Sequence, residues 1–176
     1  MKKILQKEAK DARVLRQNAK EVLIREIKTP KIKKILKEMS DTLKSQNDGV
    51  AIAAPQIGYS VRIFIVAGKI FSKNFNEENG TKREEKLKDV VFINPKISKL
   101  SREREWLPEG CLSVRPFYGK TFRAKKATIV AYDERGRKFQ RGASGLLAQI
   151  FQHETDHLNG ILFIDHAKDV KEELAK

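Results

Sequence analysis

One cysteine, Cys111, is all the thiol chemistry this chain of 176 residues holds. No internal disulfide can form, which suits a reducing compartment. The lone thiol is buried filler, a nucleophile or a metal ligand. Long apolar runs are absent too: none approaches the ~20 residues needed to span a bilayer, which argues against a membrane protein. The N-terminal MKKILQKEAKDARVLRQ starts with lysines but lacks an apolar stretch long enough for a signal peptide, and Glu8 and Asp11 count against an organellar transit sequence. A cytoplasmic location is expected. Internal repeats and low-complexity linkers are missing as well, and the length suits one domain over residues 1–176 with a single core.

Acidic residues are the scarcer charge, 23 Asp+Glu against 37 Lys+Arg, a net +14. Such an excess raises a nucleic-acid binder as one reading. The cations, however, are mostly lysines scattered along the chain, without the arginine clusters or aromatic interleaving that base or backbone readout tends to use. They read as a solvated surface that suits anionic surroundings such as a ribosome, with no sequence-specific nucleic acid and no part in the chemistry. An apolar share of 40% beside a charged share of 34% fits a soluble globular protein.

The pattern of apolar residues predicts the elements. From Thr29 a helix is expected: Thr29 is the N-cap, Pro30 takes the first helical position, and Ile32, Ile35, Leu36, Met39 and Leu43 form one stripe that Asn47-Asp48-Gly49 ends. Val61–Val66 and Val90–Pro95 read as buried strands, with an exposed polar loop, Ser72–Asp89, between them. Ala127–Ala143 reads as a β-hairpin turning near Glu134-Arg135-Gly136. A second helix begins after Ser144, read as its N-cap, and closes at Asn159-Gly160. Strands followed by a late helix predict an α+β domain, with antiparallel or mixed sheets around a central C-terminal helix.

That late helix carries the chemistry. Histidine is rare, three in all, yet two stand four apart in FQHETDHLNG, residues 151–160. At 3.6 residues per turn His153 and His157 share a face with Leu146 and Ile150, so their imidazoles point inward and are spaced to hold one metal ion. Glu154 lies roughly 100° round the helix, placed to touch a metal-held water as general base and then acid. Two core histidines satisfied by backbone carbonyls are the alternative. A catalytic metal needs a third protein ligand and an open position. The metzincin pattern would put a third histidine where Phe163 stands, and a thermolysin-like glutamate would have to come from Glu172 or Glu173 at the chain's end. The remaining soft ligand is Cys111 in EGCLS, beside Gly110. A thiolate, two imidazoles and a water make a tetrahedral site suited to zinc or ferrous iron.

Three segments together, DGVAIAAPQIG (Asp48–Gly58), EGCLS (Glu109–Ser113) and QHETDHLNG (Gln152–Gly160), resemble the motifs of the peptide deformylases in order and separation. The resemblance runs from DARVLRQNAKEV near the N-terminus to GILFIDH. It implies a bacterial-type enzyme that hydrolyses the formyl group from the N-terminal formylmethionine of newly synthesised polypeptides, releasing formate. One divalent metal per chain is implied, ferrous iron by resemblance, with zinc, nickel or cobalt also allowed by the ligand chemistry. The resemblance assigns the oxyanion contacts to the Gln56 amide and the Leu112 N–H. It assigns the peptide-binding backbone to Gly49, Val50, Ala51 and Gly110, a form of strand addition, and an apolar methionine pocket is expected near Ile150.

Other residues leave room for plainer roles. Glu109 alone reads as a surface charge, although the family's matching residue supports the site. Gln56 alone reads as a turn residue after Pro55, and His166 as a surface residue. Arg115 and Tyr118 read either as lining the peptide's path or as ordinary loop residues. Ala51 stands where the family usually has a glycine, so its methyl narrows the expected groove and bears on affinity more than on catalysis. Two other functions stay in view: an H-E-x-x-H endopeptidase, which gives Gln56 and Cys111 no shared purpose, and an inactive binding module, which predicts a broken ligand set.

Overall fold

The computed structural model describes residues 2–71 and 87–172. Among these, five strands form an antiparallel sheet in the order β1 (Ala51–Ala53), β2 (Ile63–Val66), β3 (Val90–Leu100), β6 (Lys126–Tyr132) and β7 (Lys138–Ser144). Three more, β4 (Arg104–Gly110), β5 (Phe117–Ala124) and β8 (Lys168–Glu172), form a second antiparallel sheet in the order β4-β5-β8. Two α-helices, α1 (Pro30–Lys44) and α2 (Gly145–Leu158), and five short 3-10 turns complete the described residues. The α+β architecture with antiparallel sheets and a late helix is as expected.

The run IFIV is apolar throughout because β2 is covered on both faces. Alternate residues point opposite ways. Ile63 and Ile65 join Ile52 and the α1 stripe of Ile32, Ile35, Met39 and Leu43. Phe64 and Val66 join Phe92 and the α2 residues Ala148, Ile150 and Phe151. Phe64 and Phe92 stack with centroids 4.6 Å apart, and Phe151 meets Phe92 edge-on at 5.2 Å. Helix α1 therefore covers one face of the large sheet and α2 the other.

Helix α1 starts as the sequence predicts: Thr29 is extended, its hydroxyl accepts from the Ile32 N–H at a long 3.5 Å, and Pro30 opens the helix. Elsewhere the expected bounds shift. Val61 makes only an isolated bridge to Lys20, and β3 runs on to Leu100 past Pro95. Ser144 has the extended backbone of an N-cap but makes no capping bond with its side chain. The hairpin turn falls at Asp133–Arg137, around Glu134-Arg135-Gly136 as expected. Residues 72–86 of the expected loop lie outside the described residues; beyond them, the Asp89 carboxylate accepts from Ser40 and from the Gly68 N–H.

The N-terminal segment straps the two layers together. Leu5 N–H donates to the Gln56 carbonyl and Lys7 N–H to that of Ser113. Asn94, buried and at φ 49°, offers its amide to both the N–H and the C=O of Val22. No helix among the described residues is long and apolar enough to cross a membrane.

Candidate active site

Helix α2 presents His153 and His157 one turn apart, with ring centroids 4.9 Å apart. The end of β4 delivers the third group, because the chain turns sharply after Gly110 and brings Cys111 against the helix. The Cys111 Sγ lies 3.1 Å from His157 Nε2. One donor atom from each of Cys111, His153 and His157 falls within 4.8 Å of the others. Bonds of about 2.3 Å to sulfur and 2.0–2.1 Å to nitrogen put the donors of one tetrahedral ion about 3.3–3.6 Å apart, so a small closure of this set would fit a divalent transition metal.

A second layer of bonds fixes the orientation. His153 Nδ1 donates to Glu109 Oε1 at 2.7 Å, which leaves Nε2 for the shared space with Cys111. Glu109 also accepts from Arg123 Nη2 at 2.6 Å, Arg123 Nε at 3.0 Å and the Thr121 hydroxyl at 2.6 Å. Arg123 in turn reaches Asp156 on α2 at 2.6 Å. Glu109 and Arg123 are each 6% exposed, and a buried pair of this kind is tolerable because nearly every polar atom has a partner. Burial alone would raise the Glu109 carboxyl, but the bonds from His153 and Arg123 outweigh it and hold it well below the usual range. Burial would lower His153, yet its contacts with Cys111 and Glu109 raise it well above an ordinary imidazole. His157 is driven well below by burial, with the neighbouring His153 adding to the effect. Gln152 pins the same helix to β5, its amide accepting from the Ala124 N–H and donating to the Ala124 C=O.

Glu154 stands beside the donor set, 4% exposed, with Oε2 buried and unpartnered among the described residues. Burial pushes its carboxyl up to about 7. Gln56 comes from the turn after β1 and is 2% exposed, not a solvent-facing turn residue. Its Oε1 accepts from the Ala53 N–H at 2.8 Å, and Nε2 donates to Ser113 Oγ at 3.2 Å and toward Cys111 Sγ at 3.5 Å. The amide donor is thereby aimed at the cysteine rather than at water. Leu112 follows, its carbonyl held by Gln6 Nε2 at 2.9 Å.

A cavity of about 270 Å³ opens in front of these groups. Gly49, Val50 and Ala51 form one edge; Gly110, Cys111 and Leu112 form the other; Gln56, Ile150, His153 and Glu154 line it as well. The structure therefore gathers the residues singled out from sequence at one place, His157 lying behind the cavity wall and bonding to Cys111. Arg115 and Tyr118 also line the cavity, and Arg115 bridges it by donating to Asp48 at 2.5 Å and Gln46 at 3.2 Å. Leu146, expected on the inward face, is instead 42% exposed at the cavity mouth, since the first residues of α2, Gly145 and Leu146, are open to solvent. His166 is exposed, as expected. Arg123, Thr121, Gln149 and Gln152 were not legible as site residues. For Thr121 and Arg123 the sequence signal is the alternation that turns them inward on β5.

The family model for polypeptide deformylase matches residues 1–173. Peptide deformylase 2 of Clostridium acetobutylicum is 39% identical over 153 residues, 86% of this chain and 87% of that protein. The peptide deformylase of Carboxydothermus hydrogenoformans is 42% identical over 147 residues, 84% of each. Among solved structures, the Synechococcus elongatus peptide deformylase in complex with actinonin matches with TM-score 0.77 and 31% identity, over 96% of this chain and 79% of that one. The Met-Ala-Ser-bound class I type b enzyme of Acinetobacter baumannii matches with TM-score 0.78 and 30% identity, over 94% and 98%.

Proposed function

Because the chain belongs to the polypeptide deformylase family, metal-dependent hydrolases that remove N-terminal formyl groups, we propose that it deformylates the N-terminal formylmethionine of newly made polypeptides. Formate and a free amine are the products, and the cytoplasm is the setting. Cys111, His153 and His157 would hold one divalent metal, ferrous iron by family likeness. When bound, such a metal supplies Lewis acidity and acidifies water near neutral pH.

The chain's own residues supply the rest. Glu154, pushed up to about 7, is matched to taking a proton from the attacking water and returning it to the leaving nitrogen. As water adds to the formyl carbon, charge develops on the formyl oxygen. The Gln56 Nε2–H and the Leu112 backbone N–H are the donors that would meet it. The backbone at Gly49, Val50, Ala51 and Gly110 lines both edges of the cavity and would pair with an extended peptide. Ile150, 4% exposed, offers the apolar surface for the methionine side chain. Met-Ala-Ser bound to the Acinetobacter relative supports a methionine at the first position.

The observation that carries the reading is the meeting of Cys111 with two imidazoles beside the unpartnered Glu154 carboxyl. An endopeptidase would leave Gln56 and Cys111 without a joint purpose. The test is formate release from formyl-Met-Ala-Ser, with acetyl-Met-Ala-Ser as control, by wild type and Glu154→Gln. Release from the formyl peptide alone, lost in Glu154→Gln while metal stays bound, is expected. No formate from metal-loaded wild type would overturn the assignment.

A further inference from the structure

The outer face of the β4-β5-β8 sheet carries exposed aromatics that no core uses. Trp106 stands opposite Phe122, and Arg104, Pro108, Tyr118 and Lys120 share their side of the pleat. The two rings are 42% and 47% exposed, with centroids 5.2 Å apart. Strand β8 adds Lys168 opposite Lys120, its ammonium 4.6 Å from the centre of the Trp106 ring. Asp169 partly offsets these cations, 3.4 Å from Lys120. A cross-strand aromatic pair stabilises a hairpin by itself; cations gathered around a solvent-facing pair are not needed for that. In the linear sequence the aromatics and cations look scattered, because Lys168 reaches Trp106 only through strand pairing.

We propose that this face, built on Trp106 and Phe122 with Arg104, Lys120 and Lys168, binds single-stranded RNA without sequence preference. Exposed rings accept any base by stacking, since every base has a π-face, and flanking cations track the phosphates. A chain of net charge +14 favours a polyanion as the occupant. The choice of RNA rests on the proposed function, whose substrate is a polypeptide at the stage where RNA is at hand. Pro108 and Tyr118 lie on the same face and also line the active-site cavity, so RNA held there would flank the substrate entrance without filling it.

Trp106 is the only tryptophan, so its fluorescence reports on this face alone. Metal-loaded protein would be titrated with an oligouridylate of about twelve nucleotides, with the matching deoxy oligomer and with base-free polyphosphate. Saturable quenching by RNA, absent with polyphosphate and weakened about twentyfold between about 50 and 200 mM salt, is the expected result. Phe122→Thr should weaken binding about tenfold, and Lys120→Glu with Lys168→Glu should abolish it. Far-UV circular dichroism should stay unchanged in each variant. No quenching, equal quenching by polyphosphate, or wild-type RNA affinity in folded variants would overturn the proposal; tighter binding of the deoxy oligomer would overturn the choice of RNA. Because binding is read without catalysis, RNA binding without formate release would sink only the deformylase reading.

Discussion

Glu109 Oε1 and His153 Nδ1 meet at 2.7 Å across the gap between β4 and α2. The carboxylate holds the imidazole with Nε2 turned to Cys111, and it is itself held by Arg123. Glu109→Gln keeps the shape but loses the charge that orients the ring. Metal affinity should fall about 10- to 100-fold, read by competition against a chelator of known affinity. Unchanged affinity would show that the ring is oriented by packing alone.

Glu154 gives a pH signature in metal-stripped protein. Its folded value of about 7 lies above the ordinary carboxyl value of 4.5. Between those two the folded protein keeps a proton that the unfolded chain has released, so folded stability drops as pH rises through that window. The drop amounts to about 3 kcal/mol for this group. Urea unfolding at the two ends of the window should show a steeper loss for wild type than for Glu154→Gln, and parallel slopes would refute it.

The Gln56 amide makes two contacts that one substitution separates. Gln56→Glu retains an oxygen to accept from Ala53 N–H but removes the donor aimed toward Cys111. Steady-state kinetics should show kcat reduced about 100-fold or more with KM little changed.

Ala51 is 6% exposed on β1 at the cavity edge. Ala51→Gly removes one methyl from the cavity edge, where the proposed peptide path runs. KM should fall about fivefold with kcat unchanged, while thermal unfolding moves down by about 1–4 °C from the loss of strand preference. A rise in KM would show that the methyl contributes to binding.

Gly160 closes α2 at φ 72°, and a Cβ there would sit 2.7 Å from the Arg16 carbonyl carbon. Gly160→Ala should cost about 2 kcal/mol or more. That corresponds to a melting temperature lower by about 4–8 °C or more in differential scanning calorimetry.

Much of this site was legible in the chain because its signals are local. The four-residue spacing of His153 and His157 needs only helical geometry, and a single cysteine leaves few candidates for a soft ligand. The α1 stripe was readable for the same reason, since Ile32, Ile35, Met39 and Leu43 follow one period. Strands β4, β5 and β8 were not. Their runs mix charge and apolar residues because one face is solvated, and β8 is exposed along its whole length. Glu109 read equally well as a surface charge, for nothing in EGCLS says that Arg123 will stand opposite.

The sequence by itself determined the chemistry on offer: which residues can ligate, which carboxyl neighbours them, and that α2 would turn them to one side. Those are consequences of periodicity and side-chain type, which act over a few residues. Tertiary structure alone decided that Cys111 would meet His157 at 3.1 Å, that burial would lift Glu154, and that Lys168 would lie over Trp106. Each depends on strand register and layer packing between segments far apart in the chain, where a shift of one residue would turn every side chain to the other face.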